Sequence, residues 1–406
     1  MSFAVSTGNP PRAARATNRA EHLSMEGAYD VAARVQAIEL TGRHVANLSI
    51  GEPAFPTPEH VIEAGARALR DGDTRYTPVA GIAPLRAAVA DALRARGVTT
   101  ADPGRVIITP GAKPALLYAL LALLDLDDEI LIPDPGFPSY ESVARFAGAV
   151  PVTYNANSSL GADIDEIAGR ITSRTRVLVL NSPGNPTGGT LDGTAVERLA
   201  ELAEQHDIAI VADDCYGRLV YDGTSAAPSI AALPGLAERT IVVDSFSKTY
   251  AMTGWRLGFV HAPARLVRPL QRLAVNGHSC TPGFVQRAGI AALTGPQGPL
   301  YRMRSELLGR RDVLVAALNA LPGVLCTTPP GALYAFADVS RAAAWVGRST
   351  QQYADWLLDS VGVAGVAGTA FGARGEGHIR FSFAAPTDQI ALAIERLYGA
   401  LPRGTR

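Results

Sequence analysis

Lysine is almost absent from this chain of 406 residues: of its 37 lysines and arginines, only Lys113 and Lys248 are lysine. A GC-rich coding bias accounts for that usage, and such a bias spares lysine where arginine cannot replace it. One such place is a covalent imine, which needs a primary amine able to lose its proton. Cysteine is scarce as well. Cys215, Cys280 and Cys326 form no CxxC pair and no disulfide framework, which favours a reducing cytoplasm. The seven histidines are dispersed without metal-ligand spacing. The longest apolar stretch, 115–124, is too short to span a bilayer. A net charge of −1 gives neither a basic field for nucleic acid nor a polybasic membrane patch. Residues 1–24 carry Arg12, Arg15 and Arg19 without an apolar core segment; they read as a frayed or arm-like tail, with a transit peptide as the alternative.

What the chain has is a large apolar fraction, 47% against 18% charged, in a length that exceeds one ordinary core, so two domains are expected. Helical patterns occupy 29–40, 58–70 and 84–96. From residue 105, short β-branched runs at 106–108, 130–132, 177–180, 208–211, 241–243 and 257–260 alternate with helical segments. That alternation marks an α/β unit with a mainly parallel sheet. A long helix at 300–321, the breaker cluster Pro329-Pro330-Gly331, short strands near Tyr334 and Ile379 and a closing helix read as a smaller α+β domain. The expected division is a tail at 1–24, an N-terminal segment of the small domain at 25–60, a large domain at 61–295 and the rest of the small domain at 296–406.

Open α/β sheets bind ligands beyond the carboxyl ends of their strands, and the polar residues of interest fall there. Thr109-Pro110-Gly111-Ala112-Lys113-Pro114 follows the first strand and opens a helix; small residues and exposed N–H groups make an anion site. Asn181 to Gly188 follows another strand and can present Asn185 to the crevice. Asp213-Asp214-Cys215-Tyr216 ends a third. Paired carboxylates suit a metal or a solvated turn, but with no histidine beside them the other reading is one carboxylate against a protonated heterocyclic nitrogen. Lys248, in Ser245-Phe246-Ser247-Lys248-Thr249, follows the apolar run 241–243, and Arg256 lies eight residues on. There the arginine can clamp a phosphate and favour the uncharged amine of Lys248. Amine, carboxylate, amide, phosphate turn and arginine on successive strand ends together describe one cofactor, pyridoxal 5′-phosphate.

At this point the chain resembles the class I/II aminotransferases, fold type I of the pyridoxal-phosphate enzymes, and within them the prokaryotic aspartate aminotransferase-like group. The resemblance runs from about residue 25 onward. It rests on Gly51-Glu52-Pro53, Tyr76-Thr77-Pro78-Val79-Ala80-Gly81, Asn181 to Gly188, Asp213 to Tyr216, and Ser245 to Arg256. It implies that Lys248 forms the Schiff base and shuttles protons, that Asp213 pairs with the pyridine nitrogen, and that Tyr216 and Asn185 contact the phenolic oxygen. Phe137 would stack on the pyridine. Gly111, Ala112, Lys113, Ser245 and Arg256 would surround the phosphate, and Tyr76 would reach the phosphate of a neighbouring subunit in a homodimer with shared active sites. Arg380, rather than nearby Arg374, would grip the substrate α-carboxylate, helped by the Gly51 backbone.

Several features depart from the family pattern. Asp213-Asp214 replaces the usual Asp-Glu, and Pro114 stands where many relatives have Gln. Lys113 favours an acidic substrate by analogy with the lysine of that turn in some aspartate aminotransferases, and His278 is either a pocket residue or an ordinary core histidine. The function expected is transamination between an L-amino acid and a 2-oxo acid. The alternatives are another pyridoxal-phosphate reaction on the same scaffold (elimination, replacement or cyclisation) and a non-catalytic ligand sensor.

Overall fold

The computed structural model describes residues 17–156 and 161–400 apart from 22, 24 and 26; most of the tail expected at 1–24 lies outside the described residues. Seven strands form the main sheet: β1 (Val106–Thr109), β2 (Glu129–Asp134), β3 (Val150–Asn155), β4 (Thr175–Asn181), β5 (Ala209–Asp213), β6 (Thr240–Ser245) and β7 (Gly258–His261). Their order is β1-β7-β6-β5-β4-β2-β3. All neighbours are parallel except β7, which runs antiparallel between β6 and β1. The central strands are apolar on both faces because helices cover both: Val177, Val179, Val211, Ile241 and Val243 pack into one buried cluster, Leu178, Leu180, Ile210 and Ala212 into another.

Strand β3 is the element that the alternation of apolar runs does not reveal. It lies at the sheet edge, carries Pro151, and leaves Val150 exposed; an edge tolerates proline and mixed polarity, so its pattern is weak.

A second sheet orders β10 (Val366–Ala367), β11 (His378–Ser382), β9 (Tyr334–Asp338) and β8 (Leu325–Cys326), all antiparallel. The long helix Gly298–Asn319 supplies Leu307, Leu314 and Leu318 to the cluster beneath it. The N-terminal segment shares that cluster through Ala46 and Leu48. Ala46–Asn47 pairs in parallel with Val363–Ala364, and the Leu48 carbonyl accepts from the Ser382 N–H at 2.7 Å. Residues some 330 positions apart in sequence are thereby held against one another, which positions the loop at Ser49 to Pro53 over the main sheet. No helix among the described residues is long and apolar enough to cross a membrane.

Candidate active site

The sheet register builds the site before any side chain is considered. Asn181 at the end of β4 lies opposite Asp213 at the end of β5, and Gly258 of β7 lies opposite both Ser245 and Thr109. The carboxyl ends of β1, β4, β5 and β6 therefore share one edge, and a cavity of about 500 Å³ opens there. Gly51, Phe137, Asn185, Tyr216, Lys248 and Arg380 line it, although they span more than 300 residues of sequence. Ala112, Lys113, Asp213, Ser245 and Arg256 line it as well.

Lys248 sits on the short helix Phe246–Thr249 directly after β6. Its ammonium donates to the Gly51 carbonyl at 2.7 Å, so the loop at Ser49 to Pro53 closes over the amine. Asp213 is buried. It accepts from the Tyr140 hydroxyl at 2.7 Å and from the Cys215 N–H at 3.2 Å. Burial raises its carboxyl above the ordinary range, while those two donors pull it down. Among the described residues Asp213 makes no ion pair, whereas its neighbour Asp214 pairs with Arg96 at 2.9 Å. The two adjacent acids thus part: Asp214 is neutralised by the protein, and Asp213 faces the cavity with hydrogen bonds alone. A buried carboxylate so placed suits a cationic partner brought in from outside.

The turn after β1 has the shape of an anion cradle. Gly111 adopts φ 96° and ψ 176° at the start of the helix Ala112–Leu121. A Cβ there would lie 2.5 Å from Arg256 Nη2, and one on Gly258 would lie 2.6 Å from the Gly111 carbonyl carbon. Backbone and guanidinium approach closely because two glycines allow it. Arg256 itself has φ 53° and donates to the Thr253 carbonyl at 2.8 Å, so the loop aims the guanidinium toward the helix N-terminus. There the helix dipole adds to its positive field.

The other wall comes from the second sheet. Arg380 is buried on β11 and donates to Asn185 Oδ1 at 2.9 Å and to the Ser49 carbonyl at 2.6 Å. The rings of Tyr334 and Phe371 flank its guanidinium, with centroids 4.3 and 4.6 Å away. Asn185 is held in turn by Asn181, whose Oδ1 accepts the Asn185 N–H at 2.8 Å. Arg374 lies elsewhere: both its terminal nitrogens bond Glu166, at 2.6 and 2.9 Å. That pairing draws the Glu166 carboxyl down to about 2. Lys113 holds its ammonium over Tyr29 and Phe137, 5.0 and 5.7 Å from the ring centroids.

Gly111 lies just behind the lining, at the start of the helix whose Ala112 and Lys113 enter it, and Tyr76 and His278 stand apart from the cavity. Tyr76 is 92% exposed and does not line it. His278 stacks on Tyr118 and bonds its hydroxyl at 2.9 Å; it is a packed histidine outside the cavity lining, and burial lowers its pKa. Sequence reasoning overlooked Tyr140 and Tyr334. Tyr140 lies three residues after Phe137, in the first turn of the helix Ser139–Ala147. Tyr334 lies on a β-strand diagonal to Arg380, being opposite Ser382 where Phe336 is opposite Arg380. Its hydroxyl lies 2.7 Å from that of Tyr216.

Residues 43–397 match the family model described as aminotransferase class I and II. This chain belongs to the class I and II aminotransferases. The aspartate aminotransferase of Pyrococcus horikoshii is 38% identical to this aminotransferase over 88% of this chain and 90% of its own length. The arginine–pyruvate transaminase AruH of Pseudomonas aeruginosa is 36% identical over 91% and 93%. Among solved structures, the aspartate aminotransferase of Rhizobium meliloti superposes with a TM-score of 0.90 at 32% identity, covering 96% of this chain and 99% of that one. The fold is accordingly that of the fold type I aminotransferases, and the aminotransferase moves an amino group between an amino acid and a 2-oxo acid.

Proposed function

We propose that this aminotransferase works with pyridoxal 5′-phosphate linked as a Schiff base to Lys248, and that Arg380 holds the substrate α-carboxylate. The observation that carries the reading is the convergence on one cavity of Lys248 after β6, the buried Asp213 without an ion pair among the described residues, and Arg256, whose guanidinium closes on Gly111 behind the lining. The cradle fits a phosphate because a side chain at Gly111 would fill it. Asp213 fits a protonated ring nitrogen because burial makes an ionised carboxylate seek a positive partner. When bound, the cofactor supplies an electron sink for the bond broken at the substrate α-carbon.

The chain's own residues do the rest. Arg256, Ser245 and the N–H groups at Gly111 and Ala112 hold the phosphate, with Lys113 at its margin. With the cofactor bound, Phe137 would cover one face of the ring, Asp213 would keep its nitrogen protonated, and Tyr216 and Asn185 would bond its phenolic oxygen. Arg380, fixed between two aromatic rings and bonded to Asn185 and Ser49, receives the α-carboxylate bidentately beside the Gly51 backbone. This orients the α-hydrogen toward Lys248, whose amine takes that proton as general base. Lys113 lines the same cavity as a basic residue beyond Lys248, Arg256 and Arg380, which favours an acidic side chain. Tyr76, exposed and outside the lining of its own cavity, serves the phosphate of a second copy, so the working unit is a homodimer. Residues 25–60 and 296–406 act together as a small domain against 61–295. The three free cysteines suit a reducing, cytoplasmic setting.

The test mixes the yellow holoenzyme with a panel of amino acids in the absence of any 2-oxo acid. The expected result is bleaching to the amine form of the cofactor with one equivalent of the matching 2-oxo acid, fastest for acidic side chains. Ammonia release without that oxo acid would replace transamination by an elimination on the same scaffold.

A further inference from the structure

We propose that Tyr334 is a positioning residue that joins the two halves of the site, its hydroxyl setting the hydrogen-bond strength of Tyr216 and its ring fixing the plane of Arg380. The inference rests on the cofactor reading above and extends it to the hydroxyl of a residue that reading uses only for its ring beside Arg380. Tyr334 is buried, and its hydroxyl oxygen lies 2.7 Å from the hydroxyl of Tyr216. The rings meet edge to face, with centroids 5.7 Å apart and planes at 74°. The Arg380 guanidinium lies over the Tyr334 ring at 4.3 Å from its centroid. The same hydroxyl lies so near Gly51, whose carbonyl accepts from Lys248, that a Cβ on Gly51 would come within 2.0 Å of it. One side chain therefore touches the residue facing the phenolic oxygen, the residue gripping the carboxylate, and the loop covering the lysine.

The consequence follows from hydrogen-bond direction. A hydroxyl has one proton and two lone pairs. When Tyr216 gives its proton to the cofactor's phenolic oxygen, the donor in its 2.7 Å contact with Tyr334 must be Tyr334. A chain of donors polarises each member, so Tyr334 makes Tyr216 the stronger donor. Burial pushes the Tyr216 hydroxyl well above its ordinary range and keeps it protonated for this role. At the phenolic oxygen Tyr216 competes with the protonated nitrogen of the Lys248 linkage. A stronger Tyr216 bond therefore eases loss of the nitrogen's proton, and a weaker one makes that loss harder.

The experiment titrates the visible chromophore of the holoenzyme against pH and measures kcat and KM for one amino acid in four proteins: wild type, Tyr334→Phe, Tyr334→Leu and Tyr216→Phe. Tyr334→Phe removes the hydroxyl and keeps the ring, so the chromophore titration should rise by about half to one pH unit, with KM changing less than in Tyr334→Leu. Tyr334→Leu should raise the titration similarly and also raise KM about tenfold or more through loss of the ring against the guanidinium. A Tyr334→Phe titration within 0.2 pH unit (an approximate error margin) of wild type, beside a clear rise in Tyr216→Phe, overturns the coupling while leaving the cofactor reading intact. If Tyr216→Phe itself leaves the titration unmoved, the placement of Tyr216 at the phenolic oxygen fails, and the coupling through it fails with it. Equal KM changes in the Phe and Leu variants overturn the ring's role at Arg380.

Discussion

Replacing Gly111 with alanine tests the phosphate cradle at its tightest point. The residue adopts φ 96° and ψ 176°, a region that is essentially glycine-only and costs other residues about 1–3 kcal/mol. The added methyl would also lie 2.5 Å from Arg256 Nη2. The loop has little room to retreat, because it lies so close to Gly258 that a Cβ there would come within 2.6 Å of the Gly111 carbonyl carbon and 2.9 Å of the Ala112 nitrogen. The guanidinium must therefore move, and a displaced charge-assisted hydrogen bond is worth about 1.5–3 kcal/mol. At about 1.4 kcal/mol per tenfold, the cofactor should bind roughly 10- to 100-fold more weakly. The assay is titration of the apoenzyme with pyridoxal 5′-phosphate followed by visible absorbance, with thermal melts of the apo and holo forms. Gly309→Ala is the control. That exposed position in the helix Gly298–Asn319 has open space around it, so the substitution should stabilise the fold by up to about 1 kcal/mol. Cofactor affinity of Gly111→Ala within about twofold of wild type would refute the cradle.

Other consequences are open to measurement. Tyr140→Phe removes the hydroxyl donor at Asp213, so the Asp213 carboxyl should rise further and cofactor affinity should fall about 3- to 10-fold, read by the same titration. Arg380→Ala should lower kcat/KM roughly 100-fold or more, since it strips a buried charge from the substrate carboxylate. Arg374→Ala should instead lower the melting temperature while KM stays near wild type, because its partner is Glu166; the opposite pattern in steady-state kinetics would exchange the two roles. His261 is fully buried, and burial lowers its pKa to about 4. The native state holds it neutral, so its contribution is complete above the unfolded value of about 6.5 and is lost as pH falls toward 4. That loss amounts to roughly 3 kcal/mol. Urea denaturation of wild type and His261→Leu between pH 4 and 7 should show the slope in the first and a much weaker one in the second.

The site was legible in sequence where one strand end carries one chemical group. Lys248, Asp213, Asn185 and the turn at Gly111 each follow an apolar run, and a parallel sheet necessarily brings such ends to one edge. Arg380 was preferred to nearby Arg374 for its strand-like context, and the pairing of β11 with β9 and the hydrogen bonds to Asn185 and Ser49 place it at the cavity. Tyr334 and Tyr140 were not legible. Each reads as an apolar core residue by its spacing, and only the fold reveals that its hydroxyl ends against Tyr216 or Asp213. Strand β3 escaped for the converse reason, as an edge position relaxes the pattern that marks its neighbours.

The central claim is that one lysine carries the chemistry, and borohydride reduction of the holoenzyme tests it most directly. After reduction and proteolysis, the account predicts a stable cofactor adduct on the peptide containing Lys248, and loss of both adduct and visible chromophore in Lys248→Ala. An adduct on Lys113, or a reducible chromophore persisting in Lys248→Ala, would contradict it.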